Sequence, residues 1–304
     1  MTLAQKAAAW WGYAPDHDHA ELNLEGRFDM HVHTAPDVIP RKFTDLQLVD
    51  QAVSVDAGGV VLKAHHGSTE ARAALCNEFI ERSFPGSLVK IFGSVVLNQD
   101  VGGLNPYKVD TVLKLGGKVV WLPTLDAEND LKHHGKPTDR AVTVLDEDGK
   151  PLPELMEILK MIADAQAVLA TGHISPRESY AVIKAAREVG VNNIVVTHPE
   201  FWVVDMSLDQ QRQLIDDFGV VMERVYKQPN QNGGDWLDNR ATNLVAIKEL
   251  GYKNTLISTD CGQPKNQEWN DSLMACLQYY FEGGVTLEEL DYMSKELPAR
   301  LLGM

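Results

Sequence analysis

Residues 167–200 read AVLATGHISPRESYAVIKAAREVGVNNIVVTHPE, one strand, one helix and a second strand in succession. The run Ala167-Val168-Leu169-Ala170 ends in the polar cluster Thr171-Gly172-His173. Ser175-x-x-Glu178 is then a capping box, with Pro176 at the first helical position, and Gly190 stands where that helix should stop. A second apolar run, Ile194-Val195-Val196, ends in Thr197-His198. Continuous apolar runs such as VLA and IVV, rather than alternating ones, mark strands covered on both faces, as in a parallel sheet.

The same unit recurs on either side. Eight strands are predicted, at 27–33, 59–65, 88–97, 118–125, 167–173, 193–198, 220–225 and 255–260. Further capping boxes lie at Thr44/Gln47, Ser207/Gln210 and Thr286/Glu289; Pro106 follows Asn105; Gly116, Gly219 and Gly251 stand at helix ends. Eight strand and helix units form most economically a closed (β/α)8 TIM barrel, an α/β fold, as one domain over 1–304; an open doubly wound sheet is the alternative. Residues 1–26 form an N-terminal extension in this reading. The long departure is 126–153, where Asp146-Glu147-Asp148-Gly149 between 141–144 and Pro151 predicts a hairpin or lid inserted after strand four, on the face of the active-site loops.

With 28 Lys and Arg against 43 Asp and Glu the formal charge is −15, a field that opposes nucleic-acid binding. At 44% hydrophobic and 23% charged the composition is that of a globular protein able to bury a large core. The three cysteines, Cys76, Cys261 and Cys276, include no CxxC pair and suit neither a disulfide framework nor a thiolate zinc site, so a reducing cytoplasm is expected. The apolar run 7–11 is too short for a signal-peptide core, and no stretch approaches the roughly 20 apolar residues needed to cross a bilayer, so no membrane partner is expected.

Five of the ten histidines lie at or near a predicted strand end, and His66 just beyond one. In a parallel barrel these ends converge on one rim, which would gather His31, His33, His65, His173 and His198 with Asp260. Alternation along strand one points His31 and His33 the same way, with Cα atoms roughly 7 Å apart, close enough for both imidazoles to reach one ion. An isolated His-x-His is commonly ordinary packing; the further histidines ending strands five and six and the aspartate ending strand eight favour a metal site.

FDMHVH, ATGH, VVTHPE and STDCG, in that order on strands one, five, six and eight, resemble the metal-binding signature of the amidohydrolase superfamily, and ELPARLLGM resembles its closing helix with Leu297 where Asn is usual. The resemblance implies His31, His33, His173, His198 and Asp260 as metal ligands. Many binuclear members carry a carbamylated lysine on strand four, but that strand here reads Val120-Trp121-Leu122-Pro123-Thr124, with Lys118 only at its start. Lys63 instead lies on strand two, on the face of Val61 and His65. A lysine inside a barrel must be paired, neutral or modified, which leaves a salt bridge with Asp29, a substrate carboxylate, or carbamylation.

Lys63, His65, Arg41 and Arg177 are the candidate substrate-binding residues, each weighed against plain packing or solvation. Of Glu223 and Arg224, alternating on strand seven, only one can face inward. His133 and His134 are expected in solvent, and Trp121 and Trp202 either wall a pocket or pack in the core.

Nitrogen and oxygen ligands suit a divalent ion, zinc first, with manganese, iron or cobalt as alternatives and one or two ions. Together with the resemblance they imply a hydrolase that attacks a C–N or ester bond of a small amide, lactam, cyclic imide or lactone, with Asp260 and His198 catalytic. Alternatives are a non-oxidative decarboxylase, from the likeness of DMHVHTAP to the aminocarboxymuconate semialdehyde decarboxylase branch, and a non-catalytic metal-binding barrel. A small-molecule substrate is the expected partner, and assembly into a homo-oligomer is left open.

Overall fold

In the computed structural model the described residues are 22–231 and 236–304, and the proposed N-terminal extension falls largely outside them. Each capping box read from the sequence closes its helix: the side chains of Thr44, Ser175, Ser207 and Thr286 accept from the backbone N–H three residues on, and the glutamine or glutamate there accepts in return. Gly116, Gly190, Gly219 and Gly251 all adopt positive φ where their helices end.

In chain order the elements are β1 (Phe28–His33), α1 (Asp45–Ser54), β2 (Gly59–Lys63), α2 (Glu70–Ser83), β3 (Lys90–Phe92), β4 (Ser94–Val96), α3 (Pro106–Lys114), β5 (Val119–Trp121), α4 (Glu128–His133) and α5 (Pro153–Asp164). They continue with β6 (Val168–Ala170), α6 (Pro176–Glu188), β7 (Asn193–Val196), α7 (Leu208–Phe218), β8 (Val221–Val225), β9 (Lys227–Pro229), β10 (Trp236–Asp238), α8 (Arg240–Leu250), β11 (Thr255–Ser258), α9 (Trp269–Glu282), α10 (Leu287–Asp291) and α11 (Leu297–Leu302). All eight predicted strands are present, and each is shorter than its predicted span. The third is broken at Gly93 into β3 and β4, since a Cβ at Gly93 would stand 2.3 Å from the Glu70 Cα.

The chain divides into two compact units. The second, residues 61–75, 92–222 and 301–304, is built on a parallel ladder. Ser94 pairs with Val119, Val119 with Val168, Val168 with Asn193, and Val195 with Val221, so β4, β5, β6, β7 and the start of β8 lie side by side. Helices pack on this ladder through apolar stripes. In α5 the stripe is Leu155, Ile158, Leu159 and Ile162, at spacings of three and four, all buried. Burying each such side chain contributes roughly 1.5–3 kcal/mol.

The first unit comprises the described parts of 1–60, 76–91 and 223–300. Here β1, the first residues of β2, and β3 follow one another in a sheet, and the end of β8 pairs with β11. Just past β11 the chain bonds to β1, Asp260 N donating to His31 O and His33 N to Cys261 O, both at 2.9 Å. Arg27 ties the entry of β1 to the C-terminal helices: its guanidinium donates to Asn23 O and Ser294 Oγ, and pairs with Asp291 at 2.7 Å.

Three features depart from the sequence reading. Residues 126–153 hold the helix α4 and only a minimal hairpin, a single antiparallel bridge from Leu145 to Pro151 around the Asp146 turn. Asp146 N donates to Lys150 O at 2.8 Å and Leu152 N to Val144 O at 3.1 Å on either side of that bridge, so Pro151 sits where no ladder N–H is needed. An antiparallel pair, β9 with β10, follows β8. Residues Tyr292–Glu296 form a π-helical turn, whose wider register suits Pro298, which has no N–H to donate back to Ser294.

Candidate metal centre

The first unit brings together three of the five residues implied as ligands. His31 and His33 project from β1 with ring centroids 5.4 Å apart, and both Nε2 atoms face one carboxylate oxygen, Asp260 Oδ1, at 3.1 and 3.2 Å. One ligand atom from each of the three lies within 4.8 Å of the others, and all three residues are buried. Burial by itself pushes the Asp260 carboxyl upward, but the charges and hydrogen bonds of His31 and His33 outweigh it and hold it well below the usual carboxylate range.

Backbone geometry enforces this arrangement. Asp260 has φ 53°, a left-handed conformation that disfavours a non-glycine residue by roughly 1–2 kcal/mol. Two residues on, Gly262 has φ 115°, and a Cβ there would lie 1.8 Å from the His33 carbonyl oxygen, so this turn closes against β1 only with glycine. Beneath it, Asp29 accepts from the Thr259 hydroxyl (2.6 Å), the Trp269 indole (3.0 Å) and the backbone N–H groups of His31 and Thr259. Burial pushes its carboxyl up to about 6, against the opposing pull of those hydrogen bonds.

Behind His31 stands Glu223, which sequence alternation had left balanced against Arg224. Its Oε2 lies 3.1 Å from His31 Nδ1 in a fully buried setting. A carboxylate cannot donate, so Nδ1 carries the hydrogen, and a cation that displaced the Nε2 hydrogen facing Asp260 would find there the lone pair a metal ligand needs.

In the second unit His173 is prepared in the same way. Its Nδ1 lies 2.6 Å from Oδ2 of the buried Asp130 on α4. The sequence reading missed Asp130, because it lies 43 residues from His173 within an insertion taken for a hairpin; the helical spacing of Asn129, Asp130 and His133 was the available signal. His198 has φ 27°, and its ring lies 5.0 Å from those of His173 and Phe201. His65 stands 6.0 Å from His173, ring edge to face, with its Nδ1 2.9 Å from Thr124 Oγ1. His134, expected in solvent, is exposed, with its Nδ1 2.9 Å from the Asp130 carbonyl oxygen and its ring 4.9 Å from that of Trp202.

The proposed substrate-binding bases separate. Lys63 is buried with its ammonium 5.1 Å from the Trp121 ring centroid. Arg41 lies in a loop whose backbone bonds to Gly262 through Lys42 N, at 2.7 Å. Its Nε donates to Asp37, and its Nη2 is buried with no hydrogen-bond partner among the described residues. Arg177 is exposed beside a cavity of about 280 Å³ that Glu128, Lys132, Asp146 and Glu178 also line.

The donors present in the first unit fit a divalent cation: two imidazole nitrogens and one carboxylate, with the outer nitrogen of His31 already committed. A family model described as a family of unknown function, DUF6282, matches residues 26–223. No curated protein matches the chain. Among solved structures the chain is similar to an amidohydrolase from Pseudomonas aeruginosa (TM-score 0.64, 11% identity, covering 99% of this chain and 98% of that one). It is similar also to an amidohydrolase from Burkholderia multivorans with bound zinc (0.56, 11%, 91% and 99%) and to the 2,6-dihydroxybenzoate decarboxylase from Rhizobium (0.53, 10%, 92% and 99%). These likenesses show the fold, the (β/α)8 barrel of the amidohydrolases, and bear out the architecture expected from the sequence.

Proposed function

We propose, for a chain that belongs to the DUF6282 family and has the amidohydrolase fold, a metal-dependent hydrolase acting on a C–N or ester bond of a small amide, lactam, cyclic imide or lactone. The observation that carries the reading is the convergence of His31, His33 and Asp260 with Glu223 fixing the His31 tautomer. His31, His33 and Asp260 would hold a divalent ion, zinc being our first candidate; His173 and His198 are assigned as further ligands on the order of the sequence motifs, an assignment supported for His173 by its bond to Asp130.

Such an ion supplies Lewis acidity, lowering the pKa of a water to about 7 and polarising a carbonyl. The rest falls to the chain. Asp260, ionised at neutral pH, takes a proton from the attacking water and gives it to the leaving nitrogen or oxygen as that bond to the carbonyl carbon breaks. His198 stabilises charge developing on the carbonyl oxygen. Arg41, with one edge held by Asp37 and Nη2 buried, suits a carboxylate on the substrate. Lys63 is a second cation for the same class of group.

One observation favours a decarboxylase instead: β5 ends at Trp121 with no lysine, in keeping with a single ion and non-oxidative loss of carbon dioxide. The test is metal content by elemental analysis, together with turnover on a panel of cyclic amides, lactones and aromatic carboxylic acids, with released carbon dioxide followed separately. Metal with ring opening supports the hydrolase, metal with carbon dioxide the decarboxylase, and metal without turnover a binding protein. Absence of bound metal after reconstitution with zinc or manganese overturns the reading.

A further inference from the structure

Beside His173, His65 is held by a neutral network in place of a carboxylate, and the network's hydrogens can be assigned. Asn98 Oδ1 accepts from Thr124 N at 2.8 Å and Asp126 N at 3.4 Å, which makes its amide nitrogen the outward end. That nitrogen donates one hydrogen to the His65 carbonyl at 2.9 Å and the other to Thr124 Oγ1 at 2.8 Å. The Thr124 hydroxyl, fully buried, therefore accepts from Asn98 and must place its own hydrogen elsewhere. His65 Nδ1, at 2.9 Å, is the acceptor within its reach.

If Nδ1 carried the hydrogen, the buried Thr124 O–H would lose that acceptor, a disadvantage of about 5- to 150-fold. Neutral His65 consequently carries its hydrogen on Nε2. His173, whose Nδ1 faces Asp130, has the opposite tautomer, with the lone pair on Nε2. Two rings with centroids 6.0 Å apart thus differ in kind, one a prepared ligand and the other a prepared donor.

We propose that His65, locked as its Nε2–H tautomer by Thr124 and Asn98, binds substrate as a hydrogen-bond donor and selects a lone-pair-bearing oxygen, a carbonyl or carboxylate, beside His173. A substrate presenting an amide N–H or an ammonium at that point, with no lone pair to offer, meets a second donor and is rejected. Thr124 and Asn98 are positioning residues. The role given to His173 rests on the metal-dependent reading above, whereas the tautomer does not.

Two measurements test the proposal. Long-range ¹H–¹⁵N correlation spectra of ¹⁵N-histidine protein at mildly alkaline pH, with His65 assigned by its loss in His65→Gln, report which nitrogen bears the hydrogen. Nε2 is expected in the wild type and in Thr124→Ser, with exchange between tautomers in Thr124→Val. A wild-type signal from Nδ1–H, or an unchanged tautomer in Thr124→Val, overturns the lock. Titration of zinc-loaded protein with acetate, which at neutral pH presents acceptors only, should show affinity lowered about 10-fold or more in His65→Leu and largely kept in His65→Gln, whose amide also donates. Equal affinity in wild type and His65→Leu overturns the donor role. Zinc content of the same samples separates the readings: an Nε2–H His65 in protein that takes up no metal overturns the metal reading alone.

Discussion

Glu223 and Asp130 hold no substrate in this account, yet each fixes the ring nitrogen that a metal ligand must free. Glu223→Gln would retain shape and remove the charge that strengthens its bond to His31 Nδ1. Loss of such a partner lowers metal affinity about 10- to 100-fold, which competition against a chelator would measure; unchanged affinity would remove Glu223 from the site. Asp260→Asn separates the two duties of that residue. It keeps an oxygen capable of weak coordination but no basic site, so metal uptake should fall modestly while turnover at saturating metal falls about 10²- to 10⁴-fold. His31→Ala should lose metal before chemistry is reached. The ligand candidates were legible because each sits next to a strand end, where an apolar run stops. Asp130 was not, since its partner lies far along the chain and only the fold pairs them.

At the level of elements, the boundaries follow local chemistry that needs no tertiary context. Thr44, Ser175, Ser207 and Thr286 satisfy orphan N–H groups wherever their helices pack, so their sequence signature survives folding unchanged. The break at Gly93 and the π turn before Pro298 depend on neighbours or on a missing N–H, and a strand or helix pattern does not record them. The turn after β11 illustrates how tightly one element can constrain another. Gly262→Ala would set a methyl against the His33 carbonyl at a φ that side chains avoid, with an expected loss of at least ~3 kcal/mol in chemical denaturation. Arg27→Ala, at the other end of β1, removes the ties to Ser294 and Asp291. Since Asp291 remains partly exposed and can be solvated, a smaller loss of about 2 kcal/mol is expected.

Across the whole molecule, the formal charge of −15 and the buried polar groups around β1 would favour a cation at the proposed centre. His31, His33 and Asp260 are all buried, and no such arrangement persists in an unfolded chain, so any ion they bind favours the folded state by mass action. At free zinc a hundred times the dissociation constant the gain is about 2.7 kcal/mol, enough to raise the melting temperature by several degrees. His31→Ala and His33→Ala should each abolish most of this rise, whereas Arg177→Ala, on the exposed cavity of the second unit, should leave it intact. The thiols provide a control on where the metal binds. No disulfide joins Cys76, Cys261 and Cys276, all three are buried, and burial pushes the thiols of Cys261 and Cys276 well above their ordinary range. None should react with a thiol reagent in the native protein, and blocking them after unfolding should reveal all three. A zinc-dependent melting shift that persisted in His31→Ala and His33→Ala alike would place the stabilising ion elsewhere and remove the basis for reading β1 as its seat.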